Sequence, residues 1–210
     1  ALSTLIGFGL ALWFARAFRF SRVALALLML PMTIPPVCVA LNWRYILLQD
    51  VGIADYLFTS IGLTPIYWFV DPPFSLLAII IADVWEWTPF VILILVAGIV
   101  ALPTEVLEAA MVDGASAWQS FRSIKLPLLK PVLSVAVIFR MMDAFKIFDL
   151  PQILTMCGPH HATETLSTYA ARVGFRFYRG GYASTLSYLL VIISLVITIV
   201  YLKRAGAEAT

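Results

Sequence analysis

Five runs of apolar residues dominate the chain, at 2–15, 23–47, 74–101, 131–150 and 184–202. A helix needs ~20 apolar residues to cross a ~30 Å hydrocarbon core. The last four runs meet that length, and the first falls short of it. None alternates apolar and polar residues over ~10 positions, as the strands of a membrane β-barrel do. Composition closes off the soluble alternatives. Hydrophobic residues make up 62% and charged residues 12% of the 210 positions, with a mean hydropathy of +0.97. A soluble domain runs near about 45–50% and 25%. A formal net charge of +2 leaves no footprint for nucleic acid. The class expected is an all-α, polytopic transmembrane helix bundle in membrane lipid, a single domain over residues 1–210.

Lys and Arg bias sets the orientation, because short cytoplasmic loops carry the excess. Arg16, Arg19, Arg22, Arg122, Lys125, Lys130, Lys203 and Arg204 lie on one side; Arg44, Arg172, Arg176 and Arg179 lie on the other. The first set is placed in the cytoplasm, with the C-terminus. The chain opens on Ala1 with an apolar run already under way. Upstream sequence with one further span is therefore expected, six spans in all. No secretory signal pattern is visible, since basic residues follow the first apolar run. Cys38 sits in an apolar stretch and Cys157 in a polar loop, so neither a mutual disulfide nor a metal spacing is expected.

Two runs are irregular. The second contains Pro31, Pro35 and Pro36, and proline removes a donor and clashes with the preceding turn. A break of this kind survives in a membrane only where protein or a water-filled cavity satisfies the freed carbonyls. It reads either as a packed kink or as a break beside a transport path. The third run places Trp85, Trp87 and Pro89 around Asp83 and Glu86.

The fourth run reads FRMMDAFKIFD, with Arg140, Asp143, Lys146 and Asp149 three apart and alternating in sign. On a continuous helix such neighbours meet, and each step of three turns the position by about 60°. One mid-bilayer charge costs roughly 2.5–3.5 kcal/mol on insertion scales, so the four imply pairing. Two readings stay open: a self-neutralising ladder between helices, or a polar substrate path. In the second, Arg140, Asp143 and Lys146 line the path and Asp83 and Glu86 face them. Hydroxyl groups exchange readily among charged and aromatic partners, so a sugar would suit such a path.

Between the third and fourth runs lies ALPTEVLEAAMVDGASAWQSFRSIKLPLLKP. Thr104 is expected as an N-cap, with Glu105 and Glu108 in the first turns, where acidic residues suit the helix dipole. Ala109, Ala110, Gly114, Ala115 and Ala117 let another protein approach closely, and Gly114 permits a turn. A docking helix at about 104–123 is expected.

These residues resemble a known family. Glu108-Ala109-Ala110, three residues, Gly114, nine residues and Ile124-Lys125-Leu126-Pro127 fit the EAA signature of permease subunits in binding-protein-dependent ABC importers. LPMTIPP, WEWTPF, FRMMDAFKIFD, ATETLSTYA and GYASTLS extend the resemblance over nearly the whole chain. Together they look like the first permease of sugar importers of the maltose, glycerol-phosphate or trehalose type. The family's first spanning helix is absent from this sequence.

The resemblance implies a type I ABC importer permease in a prokaryotic inner or plasma membrane, importing a di- or oligosaccharide such as trehalose or maltose by alternating access. Glu108, Ala109, Ala110, Asp113 and Gly114 would then sit in a cleft of a cytoplasmic ATPase. The implied partners are a second homologous permease, two ATPase subunits and an extracytoplasmic solute-binding protein. ATP and Mg would belong to the ATPases, and no cofactor to this chain. The residues agree: no G-x-x-x-x-G-K-[ST] loop, H-E-x-x-H pair or G-x-S-x-G elbow is present. No catalytic or metal residue is assigned. His160 and His161 read as loop-surface residues. Arg172, Arg176 and Arg179, at helical spacing in the outer segment 163–180, read as a solvated face or as a surface for the binding protein. Alternative readings are a permease for glycerol phosphate or another polar solute, an intramembrane enzyme using Asp83, Glu86 or Asp143 as acid–base groups, and a channel.

Overall fold

A computed structural model describes residues 2–15 and 21–207. Arg16 and Arg19, counted above toward orientation, lie outside them, as do the side chains of Arg22 and Arg204. Among the described residues every regular element is helical. They are α1 (Leu2–Phe14), α2 (Ser21–Leu28), α3 (Leu30–Thr33), α4 (Pro36–Ile46), α5 (Ile53–Ser60), α6 (Pro72–Val100), α7 (Thr104–Val112), α8 (Ala117–Ser120), α9 (Leu126–Phe145), α10 (Leu166–Ala171) and α11 (Gly180–Ala207). Three π-helical segments, Phe121–Lys125, Leu150–Leu154 and Arg172–Arg176, join them.

Helices occur over all five apolar runs, but only Pro72–Val100 and Gly180–Lys203 are both long and apolar enough to cross a membrane. The expectation of five full spans is corrected accordingly. Leu2–Phe14 is apolar but short. The second run is cut into α2, α3 and α4, and Pro35 and Pro36 start the last piece from its N-cap and first helical positions. Proline is tolerated there because that N–H has no intrahelical partner. None of the window scored in α11 is buried by this chain, against 44% in α6. Ile192, Leu195 and Val196 are exposed there, the surface of a helix made for lipid or another protein.

The chain forms two compact units. One takes the residues up to Leu30, Trp87–Met141 and those from Ile199 onward; the other takes Pro31–Glu86 and Met142–Thr198. In the first unit Ala11, Phe14, Val91, Ile92, Leu95 and Ala136 form the core. Two glycines bring its helices together: a Cβ on Gly7 would lie 2.7 Å from Val91 Cγ1, and one on Gly98 2.8 Å from Val132 Cγ1. Small residues permit such approach where apolar lipid offers little drive for helix association.

The second unit packs Val39, Ala40, Leu47, Trp68, Ala78, Ile79, Ala82, Leu150 and Leu154. Arg44, at the end of α4, secures the packing from one side. Its Nη1 donates to the carbonyls of Ile153 (3.0 Å) and Leu154 (2.9 Å), and its guanidinium lies 5.5 Å from the Phe69 ring centroid.

Candidate functional site

The loop from Thr104 onward is built by its own backbone. Thr104 is the first residue of α7 instead of its N-cap; Pro103 takes the cap position, with no side-chain bond. This corrects the expected cap, and Pro103 offers no side-chain oxygen for one. At the other end Gly114 N–H donates to Met111 O (3.1 Å) and Ala115 N–H to Ala110 O (3.0 Å), with Gly114 at φ +76°. This is a Schellman termination, in which a left-handed residue lets two orphan carbonyls be capped. Ser116 then opens α8 with a capping box to Gln119. The expected docking helix at about 104–123 is therefore a helix, a glycine turn and a second short helix.

Of the signature residues, Glu108, Ala109, Asp113 and Gly114 are exposed and Ala110 is buried. Met111, Val112 and Trp118 are large apolar side chains exposed around them. Trp118 stacks on Phe121 with centroids 5.6 Å apart, and Phe121 lies 6.1 Å from Phe8 of α1. The loop thus presents an acidic, small-residue and apolar surface anchored by an aromatic chain.

The intramembrane charges are distributed differently from the expected ladder. α9 ends at Phe145, so Lys146 lies in a turn, its N–H donating to Asp143 O (3.0 Å). Asp149 caps the segment Leu150–Leu154. Four charges on one continuous helix is therefore corrected. The break has a tertiary cause: Thr165 Oγ1 donates to Ile147 O (3.0 Å), taking up a carbonyl that helix continuation would have used. Arg140 is buried in the first unit, where Nε donates to Ser3 Oγ (3.3 Å) and the guanidinium lies 5.5 Å from the Trp87 ring centroid. In the second unit Glu86 is buried, Asp83 and Asp143 are half-buried and Lys146 is exposed. Trp43 and Trp85 meet edge to face there, centroids 5.9 Å apart.

The outer segment is more tightly built than its sequence suggested. Thr165 and Thr168 form a capping box at the start of α10. The Thr155 and Thr163 hydroxyls lie 2.7 Å apart, each 3.0 Å from a carbonyl oxygen, of Pro151 and Gly158 respectively. Arg172 is not a freely solvated cation: its Nη2 donates to Glu164 Oε2 at 2.9 Å, and His161 sits beside both. Arg179 lies past the helical stretch, so the three arginines do not share one helix. Sequence reasoning missed Arg44, Glu164 and the threonines; only the Thr165–Thr168 spacing, typical of a capping box, signalled its role in advance. Cys38 and Cys157 are both free thiols. Among the described residues no group of three His, Cys, Asp or Glu side chains is placed to hold a metal.

A model of the family described as "Binding-protein-dependent transport system inner membrane component" matches residues 3–205. The chain is 38% identical to the trehalose/maltose transport system permease protein MalF of Thermococcus litoralis, over 97% of this chain and 68% of that protein. It is 34% identical to the trehalose transport system permease protein SugA of Mycobacterium tuberculosis, over 97% and 64%. Against the sulfoquinovosyl glycerol transport system permease protein SmoG of Agrobacterium fabrum it is 33% identical, over 94% and 64%. The chain thus spans about two thirds of the length of these relatives. Its fold matches a bacterial ABC transporter involved in the import of the acidic polysaccharide alginate, with TM-score 0.85 at 23% identity over 99% of this chain and 78% of the other. A bacterial alginate ABC transporter in complex with alginate pentasaccharide-bound periplasmic protein gives 0.87 at 24%, over 100% and 75%. The resemblance to permeases of ABC sugar importers stands, and the intramembrane enzyme is set aside. The chain belongs to the inner membrane components of binding-protein-dependent transport systems, and its role is translocation, not catalysis.

Proposed function

We propose that this chain is the permease subunit of an ATP-driven importer for a di- or oligosaccharide of the trehalose or maltose kind. It acts as one transmembrane permease domain, with its C-terminus in the cytoplasm. Its partners are a second homologous permease, two ATPase subunits that carry ATP and Mg, and an extracytoplasmic solute-binding protein. The observation that carries this reading is the surface on α7 and its glycine turn. Glu108, Ala109, Asp113 and Gly114 are exposed beside Met111, Val112 and Trp118. Exposed apolar side chains rimmed by polar ones mark a protein contact.

In this reading the ATPase receives α7, Ala110 packs inward to hold the helix against its own domain, and the Gly114 turn fixes the helix end. ATP-driven closure of the ATPases moves the loop and shifts the spanning helices between inward and outward access. A ligand or partner moves such an equilibrium only by binding one state better than the other, and the loop is where that difference is delivered. Arg140 in the first unit, and Asp83, Glu86, Asp143 and Lys146 in the second, are proposed as residues of the substrate path. Their burial supports this in part, since charges within a membrane are costly unless they serve pairing or passage. The trehalose and maltose names of two relatives favour a sugar. Glycerol phosphate or another polar solute is the alternative.

Reconstitution tests the reading. An assembly of this permease with its partner permease, ATPases and binding protein accumulates trehalose or maltose only with ATP. Glu108→Lys lowers uptake at least about tenfold, equivalent to a loss of about 1.4 kcal/mol of coupling. Full uptake in that variant contradicts the role given to the loop.

A further inference from the structure

A cavity of about 380 Å³ lies within the second unit, apart from the charged residues proposed for the path. That volume is at the small end of the range for small-molecule pockets. Its polar wall comes from Gln152, His161, Glu164, Thr168, Arg172 and Arg176, with Phe148 and Phe175 as aromatic surface.

The hydrogen-bonding capacity of this wall is lopsided. Glu164, its only carboxylate, accepts from Arg172 Nη2 at 2.9 Å, and His161 Nδ1 lies 3.6 Å from the same oxygen. The Gln152 side-chain oxygen accepts from the Cys157 thiol at 3.5 Å, which leaves the amide N–H groups as donors. The Thr168 hydroxyl is engaged in the capping box. Arg172 Nε is buried with no hydrogen-bond partner, a condition that costs free energy unless a ligand satisfies it. No ion pair holds the exposed Arg176 among the described residues. The acceptors are spent and the donors are free.

We infer that this cavity is a saccharide subsite, in which adjacent sugar oxygens accept from Arg172 Nε, Arg176 and Gln152 while Phe148 and Phe175 meet the C–H face of the ring. The inference rests on the sugar reading above and adds a location and a recognition chemistry to it. A guanidinium presents its donors in a fixed fork, which suits a pair of neighbouring oxygens. The Glu164 pair holds the Arg172 plane in place while its Nε stays available.

The test measures saccharide contact with the assembled transporter in nanodiscs, without binding protein, by saturation-transfer NMR with trehalose and with maltose as probes. Wild type is expected to bind one of them. Arg176→Gln combined with Gln152→Ala is expected to weaken that contact about tenfold. Arg172→Lys keeps the charge opposite Glu164 but deletes Nε, and weakens it too; both sites tolerate folding because no core packing is removed. Unchanged contact in both variants overturns the inference, and so does a loss of binding-protein affinity with saccharide contact intact, which assigns the arginines to protein docking. Uptake with the binding protein present separates the two levels. Trehalose or maltose uptake alongside unaltered variant contact overturns the subsite alone. Failure to import or bind either sugar overturns the sugar reading and the subsite with it.

Discussion

Arg44 Nη1 reaches the carbonyl of Leu154 across 2.9 Å, joining residues 110 positions apart in the chain. The same nitrogen serves Ile153 O at 3.0 Å. These carbonyls end the π-helical segment Leu150–Leu154, where orphan acceptors need a partner from elsewhere. One side chain therefore ties the end of α4 to the segment that leads into the outer loop.

Arg44→Ala leaves both carbonyls unsatisfied and is expected to lower stability by about 2 kcal/mol, the scale of a hydrogen bond to a charged group. Arg44→Lys keeps the charge without the fork and falls between. Thermal unfolding of the purified assembly reads this as a lowered Tm, larger for Ala than for Lys. Equal Tm values for all three would remove the clamp.

Gly7 and Gly9 are two residues apart on α1 and predict opposite results. A Cβ on Gly7 meets Val91 side-chain atoms at 2.7 and 2.9 Å, whereas one on Gly9 meets nothing within 4 Å. Gly7→Ala is expected to destabilise by about 1–3 kcal/mol through overpacking, relieved by Val91→Ala in a double-mutant cycle. Gly9→Ala is neutral or gains up to about 1 kcal/mol from helix propensity. Unfolding midpoints in detergent distinguish the pair.

At Gly114 the obstacle is backbone conformation, since a Cβ there has open space but φ is +76°. Gly114→Ala costs about 1–2 kcal/mol for the left-handed residue, which frays the Schellman end of α7. Gly114→Asn is better tolerated, because asparagine visits this region. Uptake should follow the order Gly, Asn, Ala, with ATPase activity of the assembly falling less than uptake. Equal uptake by all three would show that the turn is not required.

Much of the fold was legible because its causes are local. Apolar runs report helices, Pro35 and Pro36 mark a helix start, and Gly114 sits where a left-handed residue ends α7. The end of α9 was not legible: nothing in FKIFD stops a helix, and the stop comes from Thr165, 18 residues further on. Arg44 and the Arg172–Glu164 pair were hidden for the same reason, since each acts on a distant partner. Span counting failed at the second run because a continuous apolar composition conceals three separate helices. The docking loop was the most readable part of the candidate site, as its spacing and its turn are properties of one short segment. The intramembrane charges were readable only as residues to place, and their grouping on one helix was not what the backbone adopts.

Adjacent alanines offer the sharpest test of the central claim. Ala109 is exposed and Ala110 is 7% exposed, so a cysteine at each samples opposite sides of α7. In the assembled transporter, Ala109→Cys and Asp113→Cys should cross-link to the ATPase subunit with a short bifunctional maleimide, and ATP should change the yield. Ala110→Cys should cross-link little. Equal yields at 109 and 110, or none at 109 and 113 in an assembly that imports its substrate, would contradict the account.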